Sequence, residues 1–182
     1  MRLIVIRHGK TEGNKKGKLQ GQRLDEPLSE EGLNEVRKII PKLTDYAVGA
    51  LYASPLRRAY ETAEIVAKKL DLPIIIRNEL LERDFGTLSG LTWDEIAKLG
   101  YTNLREADEG LIYDYQPFGG ESAQQVRGRI LQFLSKIKSM HLSQEAIVCI
   151  THGGIIRLLY DMLDFKQPKH TANALHIFEL KD

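Results

Sequence analysis

The chain has few features that would tie it to a disulfide framework, a membrane or a nucleic acid. Its single cysteine, Cys149, lies within an apolar run, so no internal disulfide can form and a reducing compartment is expected. Lysine and arginine number 26 against 25 acidic residues, which leaves a net charge of +1 and no overall attraction to anionic partners. No apolar run could cross a bilayer or form the core of a signal peptide. We therefore expect a cytoplasmic protein that binds neither membrane nor nucleic acid.

What the chain does contain is an alternation of strand and helix patterns. With 182 residues and 42% hydrophobic content, it is predicted to form one domain over residues 1–182. Continuous apolar runs predict strands at residues 2–6, 50–53, 73–76, 146–150 and 174–178. Apolar periodicity and start signals predict helices at 30–43, 56–70, 122–140 and 155–163. This order predicts a three-layer α/β/α sandwich with a mainly parallel central sheet, which binds ligands at the carboxyl ends of its strands.

One segment, residues 92–120, breaks the alternation and is called the excursion from here on. It combines aromatic side chains with acidic ones in a connection too long to be an ordinary loop. Long aromatic connections in compact domains are often functional, so we interpret the excursion as a lid over the site. The alternative is a surface helix pair that only pads the fold.

Three predicted strands end in side chains that suit phosphate. Arg7 and His8 follow the first strand, Arg57 follows the second, and His152 follows the fourth. Arginine binds two phosphate oxygens at once through its planar fork and stays charged at any working pH. Two guanidinium and two imidazole groups could therefore neutralise a phosphoryl group without a metal or a cofactor.

The same residues suggest a covalent mechanism. For His8 to attack phosphorus its ring nitrogen must be unprotonated, and neighbouring positive charge favours that state. The leaving oxygen needs a proton, for which Glu82 is the candidate, because it is a lone carboxylate just after an apolar strand. We expect desolvation or the incoming dianion to keep it partly protonated. The competing interpretation is a solvated turn acid paired with Arg83.

Taken together, the motifs resemble those of the histidine phosphatase superfamily, the phosphoglycerate mutase-like branch with the Arg-His-Gly signature. The resemblance spans nearly the whole chain and rests on blocks in a fixed order. These blocks are Arg7-His8-Gly9-Lys10-Thr11, Ser54-Pro55-Leu56-Arg57-Arg58-Ala59, Glu82 with Phe85-Gly86, Gly119-Gly120-Glu121-Ser122 and Thr151-His152-Gly153-Gly154.

The resemblance implies roles for individual residues. His8 would become phosphorylated, Glu82 would donate and then accept a proton, and Arg7, Arg57 and His152 would hold the phosphoryl group. It further implies that four residues contact phosphate or line the pocket: Asn14, Gln20, Gly21 and Gly153. Lys10 departs from the family, which more often has Glu or Gln there, and would add charge near the pocket mouth.

The sequence leaves open whether water or a bound hydroxyl receives the phosphoryl group. Arg105 is the only Lys or Arg between Lys98 and Arg127, and the excursion is acidic, so a retained, doubly anionic intermediate is disfavoured. This favours phosphomonoester hydrolysis on a small phosphorylated metabolite. Arg83 argues for the alternative, a phosphoglycerate mutase, because Glu82-Arg83 resembles the mutase pattern in which this arginine binds substrate.

Other classes of protein fit the sequence less well. Residues 13–19 lack the spacing and the final Ser or Thr of a nucleotide-binding P-loop, and no histidine pair has metal-ligand spacing. A basic cluster at Lys10, Lys15, Lys16, Lys18 and Arg23 has no interleaved aromatics, so it is interpreted as a solvated or substrate-steering face. A non-catalytic relative would have lost His8, Glu82 or His152, and all three are present. The expected partner is a small phosphate ester, and the sequence does not predict an oligomeric state.

Overall fold

The computed structural model describes residues 1–141, 146–172 and 174–180. Within these ranges the strands are β1 (Arg2–Arg7), β2 (Val48–Ala53), β3 (Ile74–Ile76), β4 (Ala146–Thr151) and β5 (Leu175–Glu179). The α-helices are α1 (Glu12–Lys15), α2 (Glu30–Ile39), α3 (Arg57–Leu70), α4 (Trp93–Lys98), α5 (Leu104–Glu109), α6 (Ala123–Met140) and α7 (Gly153–Met162). Short 3₁₀ helices lie at Ile40–Leu43, Asn78–Leu80, Gly86–Leu88 and Gln116–Phe118.

The strands form one sheet in the order β3-β2-β4-β1-β5. β1, β2, β3 and β4 run parallel, whereas β5 pairs antiparallel with β1 at one edge. The predicted strands and long helices are all found; their bounds shift by up to two residues, except that the helix predicted over 30–43 ends at Ile39. The predicted fold class is therefore confirmed.

Helices cover both faces of the sheet because successive strand residues point to opposite sides. Leu3, Val5 and Cys149 belong to a core that also contains the buried side chains of α6 and α7. Their neighbours Ile4 and Val148 belong to the other core, with the buried side chains of α2 and α3. Continuous apolar runs are thus explained by strands that are covered on both faces.

Local signals set the helix ends. Ser29 caps α2 and accepts a hydrogen bond from the amide of Gly32 at 3.2 Å, and Ser122 caps α6 in a capping box with Gln125. The predicted helix over 30–43 changes to a 3₁₀ turn after Ile39. Pro41 has no amide hydrogen to continue the α-helical pattern, which explains the change.

The excursion folds into α4, α5 and the 3₁₀ turn Gln116–Phe118. Tyr113 and Tyr115 stack with their ring centroids 5.1 Å apart and are buried in the core on the α6 side. The excursion is therefore anchored by its aromatic side chains.

No helix in the described part of the chain is both long and apolar enough to span a membrane.

Candidate active site

The sheet brings the ends of β1, β4 and β2 side by side, and each end delivers a polar side chain. The amide of His8, just after β1, donates to the carbonyl of Thr151 at the end of β4, at 2.9 Å. His152 follows Thr151, and the ring centroids of His8 and His152 lie 5.1 Å apart. The order of the sheet thus pairs two imidazoles that are 144 residues apart in the sequence.

These strand ends open into a cavity of about 220 Å³. Its lining is mostly polar and cationic: Arg7, His8, Asn14, Lys18, Leu19, Gln20, Gly21, Arg58, Glu82, Arg83, Phe85, Gly153, Gly154, Arg157 and Thr171. Of the ten predicted site residues, eight line this cavity. His152 is fully buried beside His8, and Arg57 lies elsewhere.

His8 is held as a neutral imidazole with one nitrogen committed. Its Nδ1 lies 2.7 Å from the carbonyl oxygen of Gly9, which can only accept, so Nδ1 carries the hydrogen and Nε2 keeps its lone pair. Burial lowers the pKa of His8 well below its usual value, and the neighbouring His152 and the charges of Arg58 and Arg7 lower it further. The ring therefore presents an unprotonated nitrogen beside two guanidinium groups.

The prediction that Arg57 lies in the pocket is wrong, and Arg58 takes that place. The Arg57 side chain is 60% exposed and pairs with Glu61 on the surface of α3. Arg58 is only 1% exposed, and its Nε donates to Nε2 of His8 at 3.3 Å. Its two terminal nitrogens donate to the carbonyls of Leu24 at 3.0 Å and Gly21 at 2.7 Å.

Arg57 and Arg58 point to different sides of α3, which explains the wrong prediction. Arg57 is the first residue of α3 and Arg58 the second, and one residue turns the side chain by about 100° around a helix axis. Thr62, one turn beyond Arg58, accepts from the amide of Gly9 at 3.2 Å and donates to the carbonyl of Arg58 at 2.8 Å. The face of α3 that carries residues 58 and 62 therefore lies against the end of β1.

His152 is fully buried and has one engaged ring nitrogen. Its Nε2 lies 2.8 Å from the hydroxyl of Ser54, which follows β2. Its Nδ1 has no hydrogen-bond partner among the described residues. Burial lowers the pKa of His152 well below its usual value, and the nearby guanidinium groups of Arg58 and Arg129 add to this.

The side chain of Glu82 lies against the N-terminus of α7, and the residue is 9% exposed. One carboxylate oxygen accepts from the amide of Gly154 at 3.1 Å, and the other accepts from the amide and Nη1 of Arg83 at 3.0 and 3.1 Å. A side chain at Gly154 would overlap both the Glu82 carboxylate and the Arg83 guanidinium, so glycine is required there.

Of the two causes predicted to keep Glu82 partly protonated, desolvation does not suffice. Burial alone would raise its pKa, but the charge of Arg83 and the two amide hydrogen bonds outweigh this and lower the pKa to about 2. The carboxylate is neither a solvated turn acid nor partly protonated. An arriving anion would have to supply any increase of its pKa.

Arg129 on α6 fixes the backbone around Glu82. Its Nη1 donates to the carbonyls of Glu79 and Leu81 at 2.7 and 2.6 Å, and its Nη2 donates to that of Glu82 at 3.1 Å. Glu121 pairs with the same guanidinium and accepts from it at 3.1 Å. The loop that carries Glu82 is therefore held in place by the side chain of Arg129.

The excursion contributes a buried acid that holds two arginines of the pocket. Asp108 on α5 accepts from Nε and Nη2 of Arg83 at 2.8 and 2.9 Å and from Nη2 of Arg157 at 2.6 Å. The hydroxyl of Tyr115 adds a further bond to the same carboxylate at 2.9 Å. The nearby Asp108 and Glu82 carboxylates raise the pKa of Arg83 despite its burial. The negative charge of Asp108 is thus already neutralised by Arg83 and Arg157.

Lys10 does not reach the pocket. Its Nζ pairs with Glu31 at 2.6 Å and Glu35 at 2.9 Å on α2. The predicted charge near the pocket mouth is instead provided by Lys18, which lines the cavity.

Four functional candidates were missed from the sequence: Arg58, Asp108, Arg157 and Thr171. Arg157 had a readable signal, since it lies four residues after Gly153 and therefore on the same face of α7. Thr171 accepts from Nη1 of Arg7 at 3.4 Å, and it belongs to a segment that no periodic pattern marks.

Comparisons with known proteins identify a family, similar sequences and similar structures. Residues 3–180 match the family described as the histidine phosphatase superfamily, branch 1. Phosphoserine phosphatase 1 of Hydrogenobacter thermophilus is 31% identical, over 88% of this chain and 74% of the relative. A 2,3-bisphosphoglycerate-dependent phosphoglycerate mutase of Parvibaculum lavamentivorans is 36% identical, over 96% of this chain and 85% of the relative. The solved structure of a mycobacterial glucosyl-3-phosphoglycerate phosphatase in complex with VO3 aligns with a TM-score of 0.81 at 29% identity, covering 89% of this chain and 81% of that one.

Proposed function

The chain belongs to the histidine phosphatase superfamily and is an enzyme with phosphatase or mutase activity, and from this premise we propose that it hydrolyses phosphomonoesters without a metal, through a phosphohistidine at His8. The carrying observation is that the unprotonated Nε2 of His8 shares one cavity with Arg7, Arg58 and the buried acid Glu82. Phosphoryl transfer needs a positioned nucleophile, charge neutralisation and a proton for the leaving oxygen, and these residues provide each of them.

In the first half of the reaction, Nε2 of His8 forms a bond to phosphorus as the bond to the ester oxygen breaks. The arriving dianion draws the guanidinium of Arg58 to itself and adds negative charge beside Glu82, which raises the pKa of that acid. Glu82 thereby takes up a proton from the solvent as the substrate binds, and passes it to the leaving alcohol. Arg7 and Arg58 hold the charge of the transferred group.

In the second half, water attacks the phosphohistidine. Glu82, now a carboxylate, accepts a proton from the water, and the bond between phosphorus and Nε2 breaks. Inorganic phosphate leaves and His8 returns to its neutral form. The same acid therefore serves both steps, as microscopic reversibility requires of paired half-reactions.

We further propose that the substrate carries a second acidic group beyond the phosphate. Five cationic side chains line the cavity, whereas Glu82 and Asp108 are the buried carboxylates that contact them. A phosphoryl dianion leaves this set net positive. Phosphoserine and glucosyl-3-phosphoglycerate, named for two of the similar proteins, both carry a carboxylate.

Phosphoglycerate mutase activity is the second candidate. Arg83 lines the pocket, as the mutase pattern requires, and a mutase is among the similar proteins. The acidity of the excursion no longer weighs against it, because Asp108 is paired and Glu106, Glu109 and Asp114 are exposed outside the cavity. Hydrolysis is the first candidate because phosphatases are among the similar proteins.

The test measures phosphate release from phosphoserine, 3-phosphoglycerate and glucose 6-phosphate in excess chelator, alongside isomerisation of 3-phosphoglycerate. We expect release from the two acidic esters to exceed that from the neutral sugar ester, with little isomerisation. Fast isomerisation with negligible release would establish the mutase instead. The variant His8→Ala is the control, and it should form no acid-labile, base-stable phosphoenzyme.

A further inference from the structure

Ser54 is buried beside the catalytic histidines and has no part in the steps above. Its amide donates to the carbonyl of Ile150 at 3.0 Å, which fixes it against the end of β4. Its hydroxyl oxygen lies 2.8 Å from Nε2 of His152, and both side chains have no exposed surface. A contact of this kind decides which ring nitrogen of a neutral imidazole carries the hydrogen.

The hydrogen bonds of Ser54 indicate the direction of this contact. The hydroxyl accepts from the amide of Leu56 at 3.4 Å, and its only other hydrogen-bond partner among the described residues is Nε2 of His152. If Nε2 donated the hydrogen, the hydroxyl hydrogen of Ser54 would be buried without an acceptor. Such an unsatisfied group costs about 1–3 kcal/mol. A rotation of the hydroxyl toward Nε2 satisfies both groups.

The other nitrogen of His152 then has a defined state. If Nε2 accepts, a neutral ring must carry its hydrogen on Nδ1, the buried atom that has no partner within the described part of the chain. An Nδ1–H group attracts a phosphoryl oxygen, whereas a lone pair at the same place would repel it. Burial and the surrounding guanidinium groups keep the pKa of His152 low, so the ring is neutral before an anion arrives.

We propose that Ser54 is a positioning residue that donates its hydroxyl hydrogen to His152 and so fixes the Nδ1–H tautomer, which then donates to a phosphoryl oxygen. His8 has the same tautomer for another reason, its bond to the carbonyl of Gly9. The two rings therefore offer opposite functions, a lone pair at Nε2 of His8 and a hydrogen at Nδ1 of His152. Only the consequence for turnover rests on the proposed phosphatase function, since the tautomer is a property of the free protein.

The tautomer can be measured directly by nitrogen NMR. In the ¹⁵N-labelled full chain at a pH above 7, long-range correlations within each imidazole distinguish the protonated nitrogen from the unprotonated one. His152 is assigned from the signals lost in His152→Gln. We expect the wild-type His152 to be protonated on Nδ1 and unprotonated on Nε2. A wild-type ring protonated on Nε2 overturns the proposal, whatever the variants do.

Three variants separate positioning from packing. Ser54→Ala removes the donor and should shift His152 away from the pure Nδ1–H form, whereas Ser54→Thr retains a hydroxyl and should restore it. Ser89→Ala removes another buried hydroxyl that has no partner among the described residues, and it should leave the His152 signals unchanged. Retention of the pure Nδ1–H form in Ser54→Ala contradicts the proposed role of Ser54. If Ser54→Ala does not fold, the wild-type and Ser54→Thr spectra still decide the assignment.

Anion binding and turnover give a second readout. Ser54→Ala should bind inorganic phosphate ~10-fold more weakly than wild type and lose ~10- to 100-fold in kcat on a phosphate ester, in line with the loss of one donor to the anion. Ser54→Thr should recover most of both. Equal phosphate affinity in wild type and Ser54→Ala argues against the proposal. A wild-type protein with the expected tautomer that hydrolyses no ester would refute the function and leave the tautomer assignment standing.

Discussion

Adjacent arginines at the start of α3 offer a matched test of the site. Arg58 is buried and touches His8, whereas the Arg57 side chain is 60% exposed and pairs with Glu61 four residues away. Replacing Arg57 with alanine should cost about 0.3–0.5 kcal/mol of stability, the usual value for an exposed pair of this spacing. Its effect on kcat should stay within about twofold.

Arg58→Ala should behave very differently. It removes one positioned cation from the phosphoryl group, which is worth roughly 10²–10³ in kcat. It also leaves the carbonyls of Gly21 and Leu24 without their donor, at about 1–3 kcal/mol for each carbonyl that stays buried. Arg58→Lys keeps the charge but cannot reach His8 and both carbonyls at once, so we expect it to recover less than half of the lost transition-state free energy.

The assay is steady-state hydrolysis of phosphoserine and of p-nitrophenyl phosphate, with thermal unfolding by circular dichroism as the control for folding. Activity is compared at a temperature where all variants are folded. A loss of more than tenfold in the kcat of Arg57→Ala, or a folded Arg58→Ala that remains within tenfold of wild type, would refute the role assigned to Arg58.

Three further predictions concern the acids and the pH dependence. Glu82→Gln should impair alkyl esters far more than p-nitrophenyl phosphate, because a good leaving group needs no proton; equal losses on both would remove Glu82 from the role of proton donor. Asp108→Asn leaves the buried Arg83 and the half-buried Arg157 without their shared acid, so chemical denaturation should show a loss of about 3 kcal/mol, against less than 1 kcal/mol for the exposed control Glu109→Gln. For Glu82 the folded pKa of about 2 lies below the ordinary 4.5, so its contribution of roughly 3 kcal/mol is present above pH 4.5 and is lost as the pH falls toward 2. Unfolding of wild type and Glu82→Gln should therefore converge over that range, and a constant difference would contradict the assigned shift.

Strand ends were predictable from the sequence because parallel strands place their carboxyl ends at one edge of the sheet. The apolar runs before His8 and His152 were enough to bring both imidazoles together. The choice between Arg57 and Arg58 was not, because it depends on where the first turn of α3 begins, and a shift of one residue moves a side chain from the pocket to solvent.

The role of Asp108 was also beyond the sequence. The sequence showed Asp108 only as one acid in an acidic segment. The structure reveals that its carboxylate is buried and pairs with Arg83 and Arg157. Long-range ion pairs of this kind leave no periodic signal. The net charge of the excursion was therefore a poor guide to the charge that a ligand would meet.

The shared carboxylate at position 108 also divides the molecule into parts that can evolve at different rates. The groups proposed to break the phosphate ester lie at the end of β1, at the start of α3 and in the loop at Glu82, while one short helix of the excursion holds the side chains of Arg83 and Arg157. Substitutions in that helix alone could therefore change the substrate preference of the enzyme. Any such change must either keep an acid at position 108 or leave the guanidinium groups of Arg83 and Arg157 without their shared partner.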